Sequence, residues 1–303
     1  MWFLIYFKLN YKLAFLVRQL SSQPYLKSPT LIGTITIRGP VSGLTVLRDK
    51  LFLLHVFTPG VEIYDSVTLA LERRLAVKGL VRPVDIEASG RSNCLYIADR
   101  SRVVYRVDLV DEMTRKWSTS ELPYGLSVAP GELSVIVTFD VARKLKEYTA
   151  DGFLLREILL PDDVVNPWHA VQLTSGQFVV CHGDRSDQLN RVVVVDALGS
   201  VAHTLGEHTG SAACQMDVPL HLAVDRNGFV LFTDVNHKRV QLVTPSLRYV
   251  RELVSRREVR RPWHPLSLCL DEGRGLLYVT ECEWDGKNYV NGEVLIFEVK
   301  ERN

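Results

Sequence analysis

The sequence predicts an all-β fold, a six-bladed β-propeller. Three observations carry that prediction: a proline-led unit that recurs six times, short β-branched runs punctuated by Gly, Pro, Asp and Asn, and the absence of long helical periodicity. The fullest copy of the unit runs from Pro219 to Asp234 and continues through Asn236 to Val243. It reads as strand, Asn-Gly turn, strand, polar turn, strand.

The same frame fits Pro83 to Asp99, Pro123 to Phe139, Pro167 to His182 and Pro262 to Glu281, and more loosely Pro40 to His55. A third strand follows each copy, at 61–64, 103–107, 145–148, 192–195, within 236–243, and at 293–297. The leading prolines stand 43, 40, 44, 52 and 43 residues apart. A unit of that length supplies one small sheet that cannot bury both faces alone, so six of them must stack around an axis. Residues 33–38 precede the first unit, and the last unit ends near Val299. The N-terminal strand is therefore expected to pair into the last blade, closing the ring and hiding two sheet edges.

Composition narrows the function classes. The chain has 303 residues with 36 Lys+Arg against 35 Asp+Glu, and 47% of its residues are hydrophobic. Disorder and coiled-coil classes are excluded, and no global field draws the protein to DNA or anionic lipid. Cys94, Cys181, Cys214, Cys269 and Cys282 are odd in number and never form a Cys-x-x-Cys pair, which argues against a zinc finger, a RING or a disulfide scaffold. Free thiols and the lack of an Asn-x-Ser/Thr sequon predict a cytoplasmic protein. Residues 1–29 form a separate apolar and basic segment, read as a short helix or the end of a coiled coil, and 30–303 form the propeller. Lys8, Lys12 and Arg18 cut the first segment below the roughly 18 apolar residues that a membrane span needs.

The pattern Pro-x-x-φ-x-φ-Asp, then Gly-x-φ-φ-φ-x-Asp-x-x-x-x-Arg-φ, resembles the NHL repeat. Pro219 to Val240 is its fullest match, Ile97 to Val103 a second, and the likeness covers about residues 33–299. That resemblance implies a recognition propeller like the C-terminal arm of TRIM-NHL and malin-like ubiquitin ligases, which bind protein substrates or, in some members, single-stranded RNA. The expected function is therefore non-catalytic: recognition of a protein partner or ubiquitination substrate, with any ligase activity needing a RING from elsewhere.

The repeat also allows positions to be compared within the chain. Two slots per unit are expected at one end of the propeller, near the channel mouth. The first set reads Ser42, Asp85, Gly125, His169, His221 and His264, with Ser42 and Gly43 offering two registers. The second reads His55, Asp99, Phe139, His182, Asp234 and Glu281. Five of the eight histidines fall in these slots. Together with Trp168, Trp263 and the basic connector residues Arg256, Arg257, Arg260 and Arg261, they form the expected binding face.

Three chemistries compete for that face. Imidazoles at blade junctions can donate to backbone carbonyls and simply hold blades together. Neutral imidazoles beside carboxylates can also ligate zinc, with His169, His221 and His264 as candidates, and a lyase or hydrolase would follow. Calcium fits less well, because Asp85, Asp99, Asp234 and Glu281 are interleaved with Phe139 and histidines rather than forming an oxygen cage. The arginines beside Trp263 and His264 have the composition that stacks bases and neutralises phosphates, so single-stranded RNA is the alternative partner. No cofactor is expected for the recognition role. Cys94 and Cys269 read as core thiols, and Cys181 beside His182 points to the opposite face of its strand and cannot pair with it.

Overall fold

The computed structural model describes Tyr25 and residues 28–56, 60–183, 189–206, 215–255, 264–284, 287 and 289–299. Arg256, Arg257, Arg260, Arg261, Trp263, Cys214 and nearly all of the segment 1–29 lie outside these residues.

Six four-stranded antiparallel sheets ring one axis. The innermost strands are Val41–Leu47, Pro83–Ser89, Leu126–Val128, Pro167–Gln172, Pro219–Val224 and His264–Asp271, taken as blades 1 to 6. Each chain segment then meanders outward to an outermost strand: Leu71–Ala76, Thr114–Ser118, Leu154–Leu159, Val201–Leu205 and Tyr249–Val254 in blades 1 to 5. In blade 6 the outermost strand is Thr30–Arg38, which pairs antiparallel with Tyr289–Glu298 from the other end of the chain. The expected closure holds, and it starts three residues earlier than the 33–38 segment suggested.

Each blade is a sheet buried on both faces, so its middle strands are continuously apolar rather than alternating. Period-2 geometry then sends neighbouring residues to different seams. In Cys94–Asp99, Leu95 and Ile97 pack towards blade 1 with Phe52, Leu54 and Ile63. Cys94, Tyr96 and Ala98 pack towards blade 3 with Val135, Val137 and Phe139. The valine run Arg191–Val195 divides likewise: Val192 and Val194 meet blade 5, while Val193 and Val195 meet blade 3. The seam between blades 6 and 1 holds Ile35 and Ile37 of the N-terminal strand with Leu51, Leu53, Tyr64 and Tyr278. Tyr25 enters the seam of blades 5 and 6, and its hydroxyl donates to Asp225 at 3.3 Å.

The turns explain the polar punctuation. Asp225 Oδ1 accepts the amides of Asn227 and Phe229 at 2.9 Å, and Gly228 takes φ +81, the conformation an Asn-Gly hairpin needs. The Asp and Arg of the repeat meet as a buried pair: Arg239 Nε donates to Asp234 Oδ2 at 2.8 Å, and Asp234 Oδ1 accepts the Asp217 amide at 2.8 Å. That pair ties the strand 2–3 turn to the linker entering blade 5. Trp117 packs on the rim between Tyr96 and Tyr148, with ring centroids 6.3 and 5.8 Å away.

Pairing corrects the frame of two units. In blades 2, 4 and 5 the leading Pro83, Pro167 and Pro219 face Asp99, His182 and Asp234. In blade 6 the residue facing Glu281 is Pro265, not Pro262. The inward slot of that blade is therefore Ser267, whose amide donates to Thr280 Oγ1, and His264 stands outside the ring. In blade 1 Val41 faces His55, so Gly43 rather than Ser42 takes the slot. The longer first strand of blade 6 hid the shift.

Candidate functional site in the axial channel

The corrected first slots read Gly43, Asp85, Gly125, His169, His221 and Ser267, one from each innermost strand. In blades 1, 2, 4, 5 and 6 a bulge just after the leading residue turns this side chain towards the axis. Two of the six are glycine, and space is the reason. A Cβ on Gly43 would lie 3.0 Å from Asp85 Oδ1 and 2.9 Å from the Ile86 amide. One on Gly125 would lie 2.6 Å from the Trp168 carbonyl oxygen and 2.9 Å from His169 Cα. The glycines leave room for the Asp and His of the adjoining blades.

Across that room, Asp85 of blade 2 meets His169 of blade 4 and His221 of blade 5, and all three are buried. Asp85 is held by backbone: Oδ1 accepts the Ile86 amide at 2.9 Å and Oδ2 accepts the Leu126 amide at 2.7 Å. His169 Nε2 lies 3.6 Å from Asp85 Oδ2, and His221 Nε2 lies 3.6 Å from Asp85 Oδ1. The two rings stack with centroids 4.0 Å apart. His169 Nε2 donates to the Leu126 carbonyl at 2.8 Å. Burial, and next the His221 ring, push the His169 pKa down to about 3, so this imidazole is neutral at ordinary pH. Nδ1 of both rings is buried without a hydrogen-bond partner. Asp85, His169 and His221 each bring one donor atom within 4.8 Å of the others, the set among the described residues that could hold a metal ion.

One pleat further along lies a second layer: Thr45, Glu87, Ser127, Val171, Ala223 and Cys269. Five of these line a cavity of about 310 Å³ that runs from His169 and His221 to the exposed turn residues Pro130, Thr174 and Arg226. Burial, and next the Asp85 charge, raise the Glu87 carboxyl to about 8, so it is mostly protonated at neutral pH. Burial likewise lifts the Cys269 thiol to about 12. Cys269, expected in the core, packs against the seam of blades 6 and 1 and also lines the channel. Glu87, Ser127 and Cys269 escaped the sequence reading, although each stands two residues after a slot, the spacing that returns a strand side chain to the same face.

The second slots do not share this place. Phe139 packs in the seam of blades 2 and 3. Asp99 Oδ2 accepts the amides of Val81 and Arg82, and Asp234 holds Arg239. His55 Nε2 sits 3.0 Å from Glu62. His182 is fully buried, and burial, then the Arg191 charge, lower its pKa to about 4. Glu281 is buried as well. Phe139 thus serves a seam, and Asp99 and Asp234 tie linkers, one strand out from the axis. Trp168 is half-buried against Tyr124, with centroids 5.1 Å apart. His264 meets Tyr289 edge-on at 6.3 Å. Cys181 faces away from His182: its Sγ lies 3.4 Å from the His169 carbonyl and 3.1 Å from that of Leu220, bridging blades 4 and 5.

The rim differs from blade to blade. The outermost strands of blades 1 and 2 carry Arg73, Arg74, Arg115 and Lys116, charges that discourage strand addition. That of blade 3 exposes Leu154, Leu155 and Leu159, preceded by exposed Phe153. Leu198 and Val201 of blade 4 are exposed too, and a Cβ on Gly199 would strike the Leu159 carbonyl, so the 196–200 turn abuts this strand. Among the basic residues leading towards blade 6, Arg251 is spent internally: Nη1 donates to the Tyr25 carbonyl at 3.2 Å and Nη2 to Ser28 Oγ at 3.3 Å.

No protein-family model matches the chain, and no curated protein matches it. Solved structures do resemble it. A streptogramin B lyase is 11% identical with a TM-score of 0.63, covering 91% of this chain and 100% of that one. The virginiamycin B lyase of Staphylococcus aureus is 11% identical with a TM-score of 0.60, covering 86% and 87%. The hydrazine synthase of Kuenenia stuttgartiensis is 13% identical with a TM-score of 0.59, covering 84% and 95%. At such identities the likeness establishes the propeller fold alone.

Proposed function

We propose that this propeller is a protein-recognition module that docks an extended apolar segment of its partner on the rim of blade 3. The observation that carries the reading is the outermost strand Leu154–Leu159. It presents Leu154, Leu155 and Leu159 to solvent around Arg156 and Glu157, where the outermost strand of blade 1 exposes one leucine, Leu71, beside Arg73 and Arg74, and that of blade 2 exposes Arg115 and Lys116. A free strand edge offers main-chain donors and acceptors to an added strand, and the flanking leucines give it apolar contacts. Neighbouring exposed apolar side chains such as Phe153, Leu154 and Leu155 mark interaction sites. The NHL-like repeat supports the second half of the proposal, that the partner is a substrate brought to a ubiquitin ligase whose RING lies on another chain or segment.

The test is cross-linking capture in cells with the wild-type chain and a Leu155→Glu/Leu159→Glu variant. Both substitutions lie on an exposed edge, so the variant should fold with unchanged stability. Partners lost in the variant, together with a drop in their ubiquitin conjugates, support the reading. An unchanged partner set refutes the rim as the docking site, and lost partners with unchanged ubiquitination refute the link to ligation.

A metal-dependent lyase or hydrolase in the channel is the second reading. It is favoured by the Asp85, His169 and His221 cluster at one end of the cavity and by the likeness to lyase propellers. Cleavage of streptogramin B by the zinc- or magnesium-supplemented protein, abolished by His221→Ala, would displace the first reading.

A further inference from the structure

We propose that Asp85, His169 and His221 bind one divalent transition-metal cation, zinc by preference, on the propeller axis. The inference is independent of what the rim binds.

Three observations carry it. The first is charge. Asp85 is buried, yet among the described residues no Lys or Arg pairs with it; its neighbours are two backbone amides and two imidazoles. A buried carboxylate without a cation is costly, because desolvation is not offset by a counter-charge. A divalent ion placed between the carboxylate and the imidazoles supplies that charge.

The second is spacing. Each His Nε2 stands 3.6 Å from a carboxylate oxygen. Two donors each about 2.1 Å from a shared ion are separated by about 3.6 Å when they subtend about 120° at it, close to the arrangement of a small coordination shell. The Leu126 carbonyl oxygen, 2.8 Å from His169 Nε2, is a further oxygen donor beside them. The stacked rings must turn to converge on one ion, and the hydrogen on His169 Nε2 then moves to Nδ1, which is free to carry it.

The third is support. The Ile86 and Leu126 amides orient the carboxylate, as outer-shell partners do in metal sites, and the glycines at 43 and 125 clear the space for it and for His169. Two imidazoles and one carboxylate suit zinc, cobalt or nickel; calcium and magnesium prefer oxygen alone. The adjoining cavity leaves the ion accessible from the turn end of the channel.

The experiment is zinc titration of the chelator-stripped full chain against a chromophoric competitor, repeated with Asp85→Asn and His221→Ala. The expected result is one zinc per chain. Each substitution should weaken binding by more than about 100-fold, beyond the loss from removing an outer-shell partner. Since either variant could fold poorly, cobalt binding to the wild-type chain is measured as well. Visible d–d bands without a thiolate-to-cobalt charge-transfer band support the nitrogen and oxygen donor set. Failure of the stripped chain to take up stoichiometric zinc overturns the proposal. So do zinc affinities unchanged in both folded variants, or a thiolate band that would assign the ion to Cys269.

Discussion

Replacing Gly125 with alanine tests how the axial ring is built. The new Cβ would stand 2.6 Å from the Trp168 carbonyl oxygen, 2.9 Å from His169 Cα and 3.0 Å from His169 Cδ2. Two of these atoms are backbone, so blade 4 itself must shift by several tenths of an ångström. Overpacking of this kind costs about 1–3 kcal/mol, while the stiffer unfolded chain returns about 0.4–1 kcal/mol. Gly273→Ala is the control, because its Cβ meets only Asp271 Oδ1 at 3.5 Å and its φ is not in the left-handed region. That variant should be neutral or slightly stabilised. The two variants should thus differ by roughly 2 kcal/mol, which for a chain of this size is about 3–4 °C in Tm. Differential scanning calorimetry on both variants decides the matter. A Gly125→Ala protein that melts at or above Gly273→Ala would show that the first slots do not crowd the axis.

Acid should destabilise the protein in a defined window. The His182 imidazole titrates near pH 6.5 when unfolded and near 4 when folded. Between those values the unfolded state binds more protons, so stability falls as pH drops from 6.5 towards 4, by about 2–3 kcal/mol at pH 4.5. His169, held near 3, adds a slope of the same sign. Urea midpoints at pH 7 and 4.5 should therefore converge partly in His182→Leu, and an unaltered pH dependence would contradict the burial of that ring. Removing residues 1–38 strips blade 6 of its outermost strand and withdraws Ile35 and Ile37 from their seam. Two lost isoleucines at about 2–5 kcal/mol each, plus an exposed edge, should leave an aggregating protein. A truncated chain that stays monomeric and unfolds cooperatively would show that the N-terminal strand does not close the ring.

The propeller is legible in the chain without any coordinates. Period, strand count and closure follow from local chemistry: a turn glycine such as Gly228, a valine run such as 192–195 that can only be buried on both faces, and an unpaired strand at each end of the chain. The sequence also placed Asp85, His169 and His221 in equivalent positions, since repeat register is a property of the chain alone. What it could not supply was distance. His169 fits against blade 3 because Gly125 is small, Asp85 has room because Gly43 is, and His182 is buried beside Arg191 and Asp163 although it is as polar as His169; each depends on how neighbouring strands are brought together. A slipped frame in blade 6 put His264 where Ser267 stands, because the extra residues before Pro265 leave the proline spacing nearly unchanged. The channel carboxyl Glu87 and the bare leucine edge of blade 3 became visible only once the sheets were assembled. Burial, which raises the one and spares the other, is decided by packing between blades and not by the residues themselves.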